Sequence, residues 1–177
     1  MRKRDNEELE RLSIEGFKLV DKTPIVVILD HVRSSNNVGS IFRTSDALLI
    51  TKICLCGITA RPPDKEIHKT ALGAENTVAW EYYLNTEEAV LQLRDQGYSI
   101  LAIEQVEDSI SLNDYIPRPN EKLALIFGNE VKGVQQEVVD MCDQTIEIPQ
   151  FGTKHSLNIA VTAGIVLWDL FNKLRRS

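Results

Sequence analysis

Three stretches of this chain carry polar residues that packing alone does not call for. In SSNNVGSIFRTSDA, residues 34–47, Arg43 falls on the side of Asn36 and Ser40, opposite the Val38, Ile41 and Phe42 stripe, so it is free to meet a ligand. Asn37 lies at the start of that helix pattern, and Gly39 permits close backbone approach. In LIFGNEVKGV, residues 125–134, an apolar strand ends in Gly128 and turns through Asn129 and Glu130 to Gly133. Glycine turns at the carboxyl ends of parallel strands are where open α/β sheets bind small molecules. In IEIPQFGTKHSLNIAVTAG, residues 146–164, a strand ends near Ile148 and a polar loop carries Lys154 and His155. An apolar helix then begins near Ser156, Leu157 and Asn158, and the Asn158 amide needs a partner there. Each stretch also has an ordinary reading: a capped helix with a solvated arginine, a strand-to-helix turn, and an N-cap at Ser156.

The elements that would position these residues alternate. Short apolar runs at 25–30, 52–56, 77–80, 99–103, 123–127 and 144–148 read as strands covered on both faces. Helix patterns fall at 37–49, at 86–96 with Asn85 and Glu88 at capping-box spacing and Gly97 at the stop, at 134–141, and from about 156 onward. Alternation of this kind predicts an α/β fold, a mostly parallel sheet with helices on both faces. Residues 1–22 read as a short helical extension before a domain spanning 23–177.

A chain of 177 residues with 43% apolar and 26% charged residues is one folded domain, which excludes collagen-like and low-complexity classes. The longest aliphatic run, residues 25–29, is too short to cross a bilayer, and the first ten residues do not resemble a signal peptide, so a cytoplasmic location without membrane partners is expected. Cys54, Cys56 and Cys142 lack metal-ligand spacing and read as core thiols; no metal is expected. The net charge of −6 conceals an asymmetry: residues 73–150 carry −11, whereas residues 1–72 carry +2 and 151–177 carry +3. Neither a dinucleotide fingerprint nor a P-loop is present, which disfavours a generic nucleotide-binding protein.

Taken together and in this order, NNVGSIFRTSDA, FGNEVKG and IPQFGTKHSLNIAVTAGIVLW resemble the three signature motifs of the SpoU (TrmH-like) RNA ribose 2'-O-methyltransferases of the SPOUT superfamily. KTALGAE at 69–75 and LAIEQ at 101–105 extend the likeness, which runs from about Pro24 to the end. The resemblance implies a C-terminal deep trefoil knot, against the general rule that chains do not thread loops. It also implies a homodimer, with Trp168 and Phe171 of the last helix as interface candidates, and S-adenosyl-L-methionine as cofactor. The cofactor positions that it implies are Ile103, Glu104, Gly128, Asn129, Ile148 and Leu157.

The catalytic positions implied by the same resemblance are Arg43, Asn37, Glu130, Ser156 and Asn158. Methyl transfer needs a ribose oxygen in line with the sulfonium methyl carbon and removal of the hydroxyl proton. Arginine is a poor general base, because its neutral form is hardly populated. Arg43 is therefore expected to orient a phosphate or to stabilise charge on the 2'-oxygen, while a phosphate or carboxylate takes the proton. Asn37, Ser156 and Asn158 would fix Arg43 and the ribose, and Glu130 would hold Arg43 or Asn37.

RNA, either tRNA or rRNA, would be gripped through phosphate by Arg33, Arg61, Lys65, Lys69 and Lys154, joined by Arg175 and Arg176, with the acidic residues of 75–150 facing elsewhere. The alternative of a different class is a non-catalytic RNA-binding or ribosome-assembly protein that keeps the fold.

Overall fold

Every residue of Ile25–Asp30 is buried, and the reason is visible in where alternate side chains go. In the strand β1 (Thr23–Asp30), Ile25, Val27 and Leu29 enter one core, and Val26 and Ile28 enter a second on the opposite face. The computed structural model describes residues 1–9 and 11–176, the side chains of Asn6, Glu7 and Arg176 excepted.

The other strands are β2 (Ile50–Cys56), β3 (Trp80–Tyr83), β4 (Ser99–Ile103), β5 (Ile110–Ser111), β6 (Leu123–Phe127) and β7 (Gln144–Glu147). They form one sheet in the order β3-β2-β1-β6-β4-β7-β5, with parallel pairing at each step. Helices cover both faces, as the alternation predicts. Helices α1 (Ile14–Leu19), α2 (Ser35–Ala47), α3 (Lys65–Ala71) and α6 (Ile159–Arg176) supply the first core, through Phe17, Phe42, Ile67 and Leu167 among others. Helices α4 (Thr86–Asp95) and α5 (Gln136–Val139) supply the second, through Val90, Leu93 and Val138. Short 3-10 turns occupy Asn6–Leu9 and Ala74–Asn76.

The strand expected at 77–80 begins only at Trp80, because Thr77 closes the preceding turn, its backbone N–H donating to the carbonyl of Ala74 and its hydroxyl to Asp46. Helix α2 starts two residues before the expected 37, since Ser34 caps it by accepting from the Asn37 backbone N–H at 3.3 Å. Helix α3 was not expected from the apolar pattern, yet Asp64 marks its start by accepting from the N–H groups of Glu66 and Ile67, each at 2.9 Å. The two residues of β5 are too short to show any period.

After β4 the chain runs out to the edge strand β5, returns to lay β6 between β1 and β4, and then places β7 between β4 and β5. From there α6 packs back across α2. The carboxyl ends of β1, β4, β6 and β7 therefore open on one side of the sheet, where the three polar stretches meet.

Candidate active site

The turn after β6 is held by its own backbone. Asn129 and Gly133 exchange two peptide hydrogen bonds of 2.9 Å, and the Asn129 carboxamide oxygen accepts from the N–H groups of Val131 and Lys132. A Cβ at Gly128 would lie 2.1 Å from the Gly133 carbonyl carbon, so only glycine allows this fold-back. Glu104, at the end of β4, clamps the far side of the turn: its carboxylate accepts from Val134 N–H and Gln105 N–H, both at 2.9 Å. Asp30 closes the base. Fully buried, it accepts from the Gln135 N–H at 3.0 Å, the Gln135 side chain at 3.1 Å and the Thr86 hydroxyl at 2.6 Å. Asp30 was not singled out in the sequence; an acid closing an otherwise apolar strand was its available signal.

Glu130 carries the turn across to α2. Its carboxylate accepts from the backbone N–H groups of Arg33 (2.9 Å) and Ser34 (3.1 Å) and from the Asn37 side-chain amide (3.1 Å). Partial burial pushes its carboxyl up, but these donors outweigh burial and leave it below the ordinary glutamate range. Asn37 in turn accepts from the Asn158 side-chain amide at 3.2 Å. Asn158 is the cap of α6, accepting from the N–H groups of Ala160 and Val161, so the helix starts at Ile159 and the capping role expected of Ser156 belongs to Asn158. That also answers what partners the amide of Asn158.

These elements wall a cavity of about 550 Å³, within the usual range for small-molecule sites. Ile103 and Glu104 from β4, the turn from Gly128 to Gly133, Ile148 after β7, and Ser156 to Ile159 line it. All six positions expected to hold a cofactor, and Glu130, Ser156 and Asn158, are therefore on its wall, and Asn37 joins them through hydrogen bonds. Gln105 and Thr162 also line it and were not singled out. Arg43 is exposed on α2 and lies outside the cavity; among the described residues it forms no ion pair. Of the two partners expected for Glu130, the structure gives it Asn37.

Arg33, Arg61, Lys65, Lys69, Lys154 and Arg175 are exposed; the side chain of Arg176 lies outside the described residues. Glu104 and Glu130, both expected at the site, line the cavity together with Glu147, which was not singled out. The carboxylates of Glu104 and Glu130 satisfy peptide N–H groups of the site itself. Cys54 and Cys56 are buried and Cys142 half-buried; burial pushes the Cys54 thiol up to about 12, so none of the three is poised as a nucleophile at neutral pH.

A parallel sheet with helices on both faces, and a glycine-turned cavity at the carboxyl ends of its strands, define the open α/β class of small-molecule-binding proteins. Residues 24–168 match the model of the SpoU rRNA Methylase family, and the chain belongs to that family. It is 28% identical over 148 residues to the 23S rRNA (guanosine-2'-O-)-methyltransferase RlmB of Neisseria meningitidis, covering 84% of this chain and 58% of that protein. It is 29% identical to a tRNA (guanosine(18)-2'-O)-methyltransferase of Borreliella burgdorferi, covering 86% and 68%. The AdoMet-bound rRNA methyltransferase of Sinorhizobium meliloti superposes with a TM-score of 0.78 at 29% identity, covering 88% of this chain and 57% of that one. The chain thus spans little more than half of the length of two of these three proteins.

Proposed function

We propose that this protein is an RNA methyltransferase that moves a methyl group from S-adenosylmethionine to a ribose 2'-hydroxyl of tRNA or rRNA, as a homodimer in the cytoplasm. The observation that carries the reading is the convergence of Asn37, Glu130 and Asn158, from three distant segments, at the rim of the glycine-turned cavity. Relatives named for both tRNA and rRNA targets support the substrate class. No helix of the described residues is long and apolar enough to cross a membrane.

The lining fits the cofactor: Ile103, Phe127, Ile148 and Ile159 would offer an apolar slot for a purine, and Glu104 and Glu147 would supply negative charge that suits a sulfonium. When bound, S-adenosylmethionine supplies an electrophilic methyl group. The chain's own residues then position the acceptor. Glu130 is a poor proton acceptor, because three donors already hold its charge and keep its carboxyl low. Its work is to fix Asn37, whose carboxamide, with those of Asn158 and the hydroxyl of Ser156, orients the ribose. Arg43 orients the neighbouring phosphate or steadies charge on the 2'-oxygen, and a phosphate or carboxylate takes the proton.

In one chain the guanidinium of Arg43 stands apart from the cavity. Helix α6, which starts at the cavity wall, shows an uncovered apolar stripe of Val161, Ile165 and Trp168, exposed by 50%, 40% and 60%. A second copy seated on that stripe completes the site by closing over both. The strand order, with β7 laid between β4 and β5 before α6 returns over α2, supports the trefoil knot as part of this reading. Residues 1–22 stand as an extension to a methyltransferase domain of 23–177.

The test is incubation with methyl-labelled S-adenosylmethionine and separate tRNA and rRNA pools, followed by nucleoside analysis. Label in a 2'-O-methylated nucleoside is expected from one pool. Cofactor and RNA binding with no methylated ribose from either would favour the non-catalytic alternative instead.

A further inference from the structure

The loops at the carboxyl ends of β1, β2 and β3 form a second surface beside the cavity, where Arg33 and Arg61 are expected to meet phosphate and the aromatic and imidazole groups have no task in the reaction proposed above. There the Arg61 guanidinium lies over the Tyr82 ring, 4.3 Å from its centroid. The Tyr82 hydroxyl donates to the Gly57 carbonyl at 3.1 Å, which fixes the ring beneath the guanidinium. Gly57 has a φ of +61°, and the imidazole of His31 lies so close against it that a Cβ there would sit 2.1 Å from the His31 ring. His31 itself holds a φ of +54°, a backbone conformation uncommon outside glycine, which aims its ring at that spot; its Nδ1 accepts from the Ile58 N–H at 3.4 Å. Ile58 is 64% exposed. A guanidinium–phenol stack and an imidazole are thus both anchored on one glycine.

We propose that this cluster is a nucleobase-stacking platform, which takes an unpaired base of the RNA next to the nucleotide whose ribose enters the cavity. The inference rests on RNA being the substrate. Single-stranded RNA is held by stacking splayed bases on aromatic rings and on arginine planes, a mode that tolerates any base. Here the guanidinium is backed by an aromatic ring that its own hydroxyl fixes in place. Arg33 and Arg61 form no ion pair among the described residues, so their charge is available to the phosphates alongside. Of the acids near it in sequence, Glu81 is paired with Lys52 at 2.6 Å and Asp64 accepts from the N–H groups of Glu66 and Ile67. The platform shares backbone with the cavity rim: the His31 carbonyl accepts from the Asn129 side chain at 2.7 Å, and the Arg33 N–H donates to Glu130. A base seated here would therefore be registered against the reacting ribose.

The test uses a short single-stranded RNA containing 2-aminopurine, whose fluorescence is quenched when the base stacks. The wild type is expected to bind and quench it. Arg61→Lys keeps the charge but not the plane, and Tyr82→Leu removes the backing ring; each is expected to lose the quenching and to weaken binding about 10-fold. For Arg61→Lys the salt dependence of binding should stay unchanged, since the count of phosphate contacts is kept. Tyr82→Phe, which keeps the ring, should still quench, and unaltered S-adenosylmethionine affinity checks that each variant is folded. Arg61→Lys that quenches and binds like the wild type overturns the platform. Wild type that methylates RNA without quenching overturns the platform alone, and wild type that binds no RNA overturns both the platform and the substrate class.

Discussion

The side-chain amide of Asn158 donates to the carboxamide oxygen of Asn37 across 3.2 Å, joining residues 121 positions apart in the chain. Asn158 does this while its own oxygen caps α6. The two duties can be separated. Asn158→Asp keeps a capping oxygen but replaces the amide donor with a carboxylate facing another oxygen, so methyl transfer is expected to fall about 100-fold while thermal stability changes little. Steady-state rates set beside thermal melts check this; a drop in stability that matched the loss of rate would point to the cap instead.

Arg43→Ala is expected to abolish methyl transfer and to leave S-adenosylmethionine affinity within about threefold, because the guanidinium lies outside the cavity. Calorimetry against turnover measures the two separately. If the proposed homodimer forms on the uncovered stripe of α6, Trp168→Glu should give monomers where the wild type gives dimers in light scattering, and remove turnover with them.

Glu130 titrates below the ordinary glutamate value when its turn is docked on α2. A carboxyl with a lowered folded-state pKa contributes stability above its unfolded value, and that contribution disappears as pH falls through the folded value. The urea midpoint of Glu130→Gln should therefore lie below that of the wild type at neutral pH, and the gap should close as the pH drops below about 4.5. A gap that persists at low pH would mean that the glutamate acts by shape and not by charge.

Gly128→Ala forces a methyl group against the peptide between Gly133 and Val134, where the nearest backbone atoms would stand at 2.1 Å. Backbone cannot yield as a flexible side chain would, so the turn must open. We expect cofactor affinity to fall at least about 10-fold, with a modest loss of stability in the range of 1–3 kcal/mol. Equilibrium dialysis and urea unfolding check the two halves of that statement.

Asp30 ties the end of β1 to Gln135 and to Thr86 at the start of α4. Asp30→Ala strands a part-buried peptide N–H and a buried hydroxyl, and is expected to cost about 2–4 kcal/mol, whereas Asp30→Asn, which keeps one acceptor, should cost less. Urea titration ranks them; equal losses would show that the charge alone matters.

The order of strands and helices was legible in the amino-acid sequence because burial on both faces writes itself as short apolar runs, and because helix stripes keep a period of their own. Five of the seven strands and the helices α2, α4, α5 and α6 followed from that signal, with boundaries shifted where a cap decided them, as at Ser34 and Asn158, whereas the run at 77–80 shares only Trp80 with β3. The two-residue strand β5 carries no period, and α3 was announced only by its Asp64 cap. Which polar residues belong together was visible only as three suspicious stretches and a family likeness. Their junction was decided by the tertiary structure: the parallel sheet brings four strand ends to one side, and there the Glu130 carboxylate finds α2, Asn37 finds Asn158, and Asp30 becomes a buried latch. Local patterning records what a side chain avoids, namely water or its absence, whereas hydrogen-bond partners drawn from distant segments are fixed only when the chain has folded.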